Sequence, residues 1–490
     1  MTVQFGNLID SHLLLVTNRQ PYRHEYDGDE VVVDQPGGGV VAGLDAVARE
    51  VESTWVAWGD GQADPVVTDE DGRIGVPPED PTYTLNRVWL DEEDVAGYYE
   101  GYANRVLWPL CHTAPGQIVQ EEGYWETYRK VNEQFADEIV DEVDDDTVVW
   151  FQDYHFTLAP AYVREEHPGT IAHFWHIPWP SVDVFRICPH RESILRGLLA
   201  NDHLGFHIDR YCQQFLACVD AFVPEAEVDE ANDIVIHENR QIQVDAFPLG
   251  VDVRRIREAV EDPRDIDRRM RRTHDLKGQL VLGVDRLDYS KGIPERLAAL
   301  EYLWSTRPQM RESFTYIQKG MRSREGIPEY REVFEDVEEG ITRINDEFGT
   351  ENWQPIVRIE EFLPNEELFA LYRSADVMLV TALRDGMNLV AQEYVAAQLD
   401  RDGVLILSEF AGGHEFLGSD AITVNPFDPV GVADGIERAI HMDALERIRR
   451  MRPLAHTVEE LDVHQWIQAV LTTIASEFPE STTHPQRTNN

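Results

Sequence analysis

The nine residues Asp385-Gly386-Met387-Asn388-Leu389-Val390-Ala391-Gln392-Glu393 put one carboxylate ahead of a small-residue turn and a second carboxylate further along the helix that follows. The apolar run Val377-Met378-Leu379-Val380 just before them reads as a buried parallel strand. A strand, a tight turn and a helix leave several amides without intrahelical partners at the helix start, where the macrodipole also favours negative charge. Such a place suits a diphosphate. At ~1.5 Å of rise per residue the two carboxylates stand roughly 12 Å apart, enough to bracket a sugar-diphosphate-ribose, with one carboxylate for the sugar hydroxyls and the other for the ribose diol. Alone, the segment reads more simply as a glycine turn with a solvated glutamate.

Other stretches offer groups of matching chemistry. Gly283-Val284-Asp285-Arg286-Leu287-Asp288-Tyr289-Ser290-Lys291-Gly292 carries two cations, Arg286 and Lys291, in the loop after a buried strand. Fixed cations aimed at the β-phosphate of a departing nucleoside diphosphate stabilise a transition state more than a ground state. Gln35-Pro36-Gly37-Gly38-Gly39-Val40-Val41-Ala42-Gly43 is a glycine-rich turn entering a helix, weak evidence alone because a plain loop explains three glycines equally well. Asp153, in Phe151-Gln152-Asp153-Tyr154-His155, and His176, in Phe174-Trp175-His176-Ile177-Pro178, end two successive strands and can hold sugar hydroxyls or pass a proton. Each also has a plain reading, as a helix cap and as a packed ring. Arg19 and Arg324 are candidate clamps for a second anionic group, since the guanidinium fork suits phosphate oxygens. Tyr99 and Trp108 offer flat faces to a sugar ring, although most aromatics are core. There is no GxSxG elbow, HExxH pair or P-loop, and Asp144-Asp145-Asp146 reads as solvated loop, so no metal site is expected.

The elements that must position these groups alternate along the whole chain. Short apolar runs and amphipathic stretches follow one another in the pattern of doubly wound α/β domains. Strands are predicted near 13–16, 55–58, 147–151, 171–175, 203–206 and 242–246, then 280–284, 314–317, 356–359, 377–380 and 404–407. Helices are predicted over 124–140, 209–219, 295–304, 365–373 and 389–397. With 490 residues the chain is too long for one core, and Phe247-Pro248-Leu249-Gly250 marks a hinge. The expected division is one Rossmann-like domain over 1–248, a second over 249–465, a further helix over 466–478 and a polar tail over 479–490; the resemblance given below implies that the first binds the acceptor, that the second binds the nucleotide sugar and that the helix closes back on the first. Two such domains place a cleft at the carboxyl ends of both sheets.

Composition narrows the partners. Against 91 Asp plus Glu stand 43 Lys plus Arg, a formal charge of −48, and only Lys130, Lys277, Lys291 and Lys319 are lysines. Dispersed acids on a chain with 42% hydrophobic residues point to a halophilic cytoplasm more than to disorder. No basic patch suggests nucleic acid, and no run reaches the roughly 18 apolar residues of a membrane span. Cys111, Cys188, Cys212 and Cys218 lack CxxC spacing and read as buried thiols. A cytoplasmic protein without nucleic-acid or membrane partners is expected; a homo-oligomer stays open.

Taken in order, Asn18-Arg19, Gly38-Gly39, Tyr98-Tyr99, Val106-Leu107-Trp108-Pro109, Asp153-Tyr154-His155, His176-Ile177-Pro178, Leu204-Gly205-Phe206, Arg286 through Gly292 and Arg384 through Val390 resemble the trehalose-6-phosphate synthase family. These are retaining glucosyltransferases with two Rossmann-like domains facing across a cleft, the GT-B fold. The resemblance implies that Arg286 and Lys291 hold the donor diphosphate and assist its departure. It further implies that Gly38 and Gly39 close on the donor, that Phe362 lies beside the base, and that His176 and Asp385 hold glucose hydroxyls. The amides of Gly386, Met387, Asn388, Leu389 and Val390 would face sugar and phosphate, and Glu393 the ribose. Arg19, Tyr99, Asp153 and Arg324 would bind glucose 6-phosphate, with Trp108 and Ile177 selecting its α anomer, and the last helix would cross back onto the first domain. The implied reaction moves glucose from a nucleotide diphosphate, UDP-glucose by preference, to glucose 6-phosphate, with the departing phosphate taking the acceptor's proton and with neither metal nor cofactor.

Three departures stand out: Gln152 where the family usually has His, Trp179 where Phe is common, and Gln392 where Lys is common. The first two are expected to border the acceptor side, and the third fits the scarcity of lysine. A related synthase acting on glycerol 3-phosphate or another phosphorylated acceptor is the nearest rival. A sugar-phosphate sensor without turnover is the rival of another class.

Overall fold

The computed structural model describes residues 11–35, 39–260, 278–400 and 402–476. Two sheets dominate. The first is built from β1 (Leu13–Arg19), β4 (Ser53–Trp58), β5 (Arg73–Val76), β6 (Tyr83–Val88), β7 (Val148–Gln152), β8 (Ile171–Phe174), β9 (His203–Phe206), β10 (Glu227–Asp229), β11 (Ile234–His237) and β12 (Arg240–Ala246), with β2 (Arg23–Asp27) and β3 (Glu30–Asp34) forming a separate hairpin. Its order is β10-β11-β12-β9-β8-β7-β1-β4-β6-β5, parallel except at its two edges. The second sheet comprises β13 (Gln279–Arg286), β14 (Phe314–Met321), β15 (Ile356–Ile359), β16 (Val377–Val380), β17 (Val404–Ser408) and β18 (Ile422–Val424), all parallel, in the order β15-β14-β13-β16-β17-β18.

The central strands are apolar on both faces, as parallel strands covered by helices on each side must be: Leu13 to Val16, Val148 to Phe151 and Val377 to Val380 are all buried. Among its parallel strands each sheet reverses its strand order once, between β1 and β7 in the first and between β13 and β16 in the second. The loops leaving the carboxyl ends of two such strands diverge to opposite faces and leave a crevice between them. Arg19 and Asp153 leave the first switch point; Arg286, Lys291 and Asp385 leave the second.

The predicted strands and helices all appear, most lengthened by a few residues. The helix Val463–Ser476 returns to the first sheet, where Trp466 meets Phe174 edge-on at 4.9 Å between centroids and Trp150 at 5.8 Å. Burying a large apolar side chain of this kind contributes on the order of 1.5–3 kcal/mol. Gly43, on the helix Gly39–Ala48, faces Val463 so closely that a methyl there would stand 2.8 Å from its Cγ2. Among the described residues no helix is long and apolar enough to cross a membrane.

Candidate active site between the two lobes

The second lobe supplies a compact charged cluster. The Lys291 ammonium donates to Asp385 Oδ2 at 2.6 Å, and the Asn388 side-chain amide donates to the same oxygen at 3.0 Å. Asn388 adopts φ 67°, a left-handed turn that Asn tolerates, and its Oδ1 caps the helix Leu389–Ala397 by accepting from the Ala391 amide. The amides before Ala391 are therefore left for a ligand. Burial alone would raise the Asp385 carboxyl, but Lys291 and Asn388 outweigh it and hold the group below its ordinary range. The loops after β13 and β16 are tied together, the Leu383 amide donating to the Ser290 carbonyl at 2.8 Å. Glu393, on the same helix, accepts from the Tyr372 hydroxyl at 2.8 Å, and burial pushes its carboxyl up to about 7.

The first lobe presents strand ends and one unusual helix. Asp153 takes φ 68° and ψ 179°, a conformation costly for any residue with a side chain and of the kind that clusters at functional sites. Its Oδ1 accepts from the His176 amide at 3.2 Å, yet burial outweighs that bond and pushes the carboxyl up to about 7. His176 donates through Nε2 to Gln152 Oε1 at 2.9 Å and is held neutral, chiefly by burial and further by His207 and His173. The helix Val95–Leu107 is widened to π geometry, and the Asn104 side-chain amide satisfies the Tyr99 carbonyl at 2.8 Å across the enlarged turn. π segments recur at functional sites because they re-aim side chains. Here the helix delivers Tyr99 and leads directly into Trp108.

These groups converge across the cleft. Arg324 of the second lobe lies 4.1 Å from the centre of the Trp108 ring, donates to the Tyr154 hydroxyl at 3.2 Å and to the Tyr330 hydroxyl, and stands 3.6 Å from Asp288. Arg286 lies 5.4 Å from the same indole. Arg19 donates to the Tyr99 hydroxyl at 3.3 Å. Burial would raise the Tyr99 phenol, but Arg324 and Arg19 outweigh it and bring it down to about 8. Three arginines thus surround the aromatic floor that Trp108, Tyr99 and Tyr154 build. Further contacts close the lobes on one another: the Tyr211 hydroxyl donates to the Asp385 carbonyl at 3.1 Å, and Gly386 lies against the His176 backbone. A basic, partly aromatic pocket beside a cation-bearing helix start can hold two phosphorylated molecules end to end.

Residues 11–476 match the model of Glycosyltransferase family 20. The chain belongs to that family. It is 34% identical to an Aspergillus fumigatus alpha,alpha-trehalose-phosphate synthase [UDP-forming] over 94% of this chain and 96% of the relative. It is 38% identical to a Mycobacterium avium trehalose-6-phosphate synthase over 98% and 97%. Among solved structures, a trehalose-6-phosphate protein from E. coli bound with UDP-2-fluoro glucose superposes with a TM-score of 0.85 at 29% identity, covering 96% of this chain and all of that one. A UDP-forming alpha,alpha-trehalose-phosphate synthase from Burkholderia xenovorans in complex with glucose-6-phosphate gives 0.83 at 29%, covering 95% of this chain and 100% of that one. The fold is the GT-B arrangement of facing Rossmann-like lobes.

Within this family member, not every expected residue falls in the cluster. Gly38 lies outside the described residues, while Gly39 opens the helix Gly39–Ala48. Phe362 stands 72% exposed beyond β15, on the second lobe. Met387 is buried, whereas Leu389 and Val390 are half-buried at the edge of the second lobe's core. Ile177 is likewise buried in the first core, with its amide directed to Asp153. Trp179 does not border the acceptor side: it is fully buried among Trp175, Phe185, Phe206 and Phe215, its indole N–H donating to Cys218 Sγ at 3.4 Å. A larger ring at that position fills core volume. Gln392 is buried too, and its amide donates to the Leu249 carbonyl at 3.0 Å.

Sequence reading missed several contributors. Trp58 ends β4 beside the first switch point and tilts onto Tyr99 at 5.7 Å. Asp288, fully buried, is held in its charged form by Arg324, Arg286 and Lys291 against the cost of burial. Tyr154 and Tyr330 orient Arg324. Trp58 had a signal as an aromatic at a strand's carboxyl end, and Asp288 and Tyr154 lay inside the quoted motifs without being given a role; Tyr330 had none.

Proposed function

We propose that this chain is a retaining glucosyltransferase that moves glucose from UDP-glucose to glucose 6-phosphate, giving α,α-trehalose 6-phosphate. One observation carries the reading: the lobes bring Arg286, Lys291 and Asp385 from one switch point opposite Arg19 and Asp153 from the other and Tyr99 from the widened helix, with Trp108 touching arginines of the donor and acceptor groups alike. Membership of a family whose relatives carry that activity in their names supports it.

In this reading the glucose sits on Asp385 and His176, its diphosphate on Arg286, Lys291 and the amides from Gly386 to Val390. The ribose goes to Glu393, and Gly38, Gly39 and Phe362 flank the nucleotide. Glucose 6-phosphate places its phosphate between Arg19 and Arg324 and its ring over Trp108, near Tyr99, Asp153 and Ile177. The bond from the anomeric carbon to the β-phosphate breaks, and the acceptor's anomeric hydroxyl bonds to that carbon on the same face. Its proton passes to the departing phosphate. Arg286 and Lys291 act on the charge that grows there, and the residues supply this chemistry without a cofactor. The division at 248 follows as the hinge between acceptor and donor lobes, and the cytoplasm, where sugar phosphates occur, as the compartment.

The test offers the purified chain UDP-, GDP- and ADP-glucose with glucose 6-phosphate or glycerol 3-phosphate, and identifies the product's linkage by NMR. Formation of α,α-trehalose 6-phosphate and UDP is expected. A product with glycerol 3-phosphate alone would move the reading to the rival synthase, and absence of nucleotide release with every donor and acceptor pair at every salt concentration would move it to a sensor.

A further inference from the structure

We infer that Arg105 and Glu329 are positioning residues for the acceptor end of the cleft: an ion pair between the lobes that holds the turn before the helix Pro328–Phe348, and with it Arg324, against the first lobe. The inference rests on the reading above, in which Arg324 meets the acceptor's phosphate.

Arg105 lies on the widened helix Val95–Leu107, and Glu329 on the first turn of Pro328–Phe348. The Arg105 Nε donates to Glu329 Oε2 at 3.2 Å and its Nη2 to Oε1 at 2.8 Å. Two parallel bonds from a planar fork fix orientation as well as distance, which a single ammonium cannot do. On the other side the same guanidinium is braced by Glu121 Oε1 at 2.8 Å and by the Tyr124 hydroxyl at 2.6 Å. The two side chains are only 14% and 15% exposed, so salt screens the pair less than an ordinary surface bridge.

The turn it restrains needs an anchor. Arg324 adopts φ 54°, the left-handed region that a residue with a side chain occupies at a cost. Its guanidinium reaches the first lobe at Tyr154. Between Arg324 and Glu329, Gly326 lies against Glu100, where a methyl would come 2.9 Å from the carboxylate carbon. The first lobe therefore touches this segment at Tyr154, Glu100 and Arg105. Of these contacts, the Arg105–Glu329 pair can be removed without altering a group assigned to substrate.

The experiment uses the full chain carrying Glu329→Gln, Arg105→Gln or both. Each single change is expected to raise the KM for glucose 6-phosphate about tenfold, with the UDP-glucose KM and kcat within about twofold. The double change should cost no more than the worse single, the mark of a coupled pair. In the substrate-free enzyme, hydrogen exchange of the 322–327 amides should quicken in Glu329→Gln while β13 stays protected. Donor and acceptor KM rising together, an acceptor KM within twofold in both singles, or unchanged exchange over 322–327 would each overturn the inference. Should the wild-type chain not use glucose 6-phosphate, the proposed function fails, and the exchange measurement alone still decides whether the pair holds the turn.

Discussion

The closest approach of the two lobes' backbones at the site supplies a sharp test. A methyl built on Gly386 would stand inside 3.0 Å of the His176 carbonyl oxygen, 3.2 Å from its carbonyl carbon and 3.3 Å from the Ile177 Cα. All three atoms are backbone, so no rotamer change relieves the clash, and Gly386 is absent from the positive-φ positions, so Ala would strain nothing else. The only relief is to move the Asp385–Asn388 turn away from the first lobe, or the lobes apart, on the order of 1 Å. A displacement of that size in a preorganised site costs about 10²-fold in rate, while the overpacking itself costs about 1–3 kcal/mol. Gly386→Ala should therefore lower kcat/KM for glucosyl transfer about 10²-fold, with a modest fall in thermal midpoint. Gly116→Ala, where nothing lies within 4 Å, is the matched control and should change neither. Coupled detection of UDP release at varied donor and acceptor measures both constants. A Gly386→Ala enzyme retaining kcat/KM within about twofold would refute the argument that apposition of these backbones sets the reacting geometry.

Lys291→Met should reduce kcat about 10²–10³-fold at saturating UDP-glucose, since it removes a cation aimed at developing charge; a rise in donor KM alone would assign it to ground-state binding. Asp153 should tie stability to pH. Its folded-state value of about 7 lies above the ordinary 3.8, so the native state keeps a proton that the unfolded chain releases, and stability falls as pH rises through that window. Asp153→Asn should thus gain on the wild type in thermal midpoint between about pH 4 and about pH 7; parallel curves would contradict the shift. With a formal charge of −48, the chain should gain thermal stability steeply between about 0.1 M and about 1 M salt, as the Debye length shrinks from about 10 Å to about 3 Å. Calorimetry at several salt concentrations checks this, and a flat midpoint would count against the halophilic reading.

The sheets were legible because their signal is local. A run such as Val377 to Val380 or Val148 to Phe151 is apolar at every position only if helices cover both faces, and length separates it from a helix. The edge strands β5, β10 and β11 gave no such signal. Their residues are half exposed and short, and antiparallel pairing defines them more than burial does. The same logic covers the site. Arg286, Lys291 and Asp385 follow buried strands directly, so their place at a sheet's carboxyl end could be read without knowing what faced them.

What escaped reading depends on tertiary contact. The π geometry of Val95–Leu107 follows from no propensity of its residues. It is stabilised when Asn104 reaches the Tyr99 carbonyl while accepting from the Tyr154 hydroxyl, a partner fifty residues away in sequence. Trp179 was expected to border the acceptor side as a departure from the family's usual Phe, yet its ring lies in the aromatic core, in a segment flanked by the prolines at 178 and 180. Asp153 is the clearest case. Its backbone takes a positive φ at a bent strand end, and its carboxyl is buried there, so that desolvation raises it even though the His176 amide donates to it. A sequence shows the carboxylate, but only the fold shows that it is strained and desolvated. Those two properties set Asp153 apart from an aspartate that merely caps a helix.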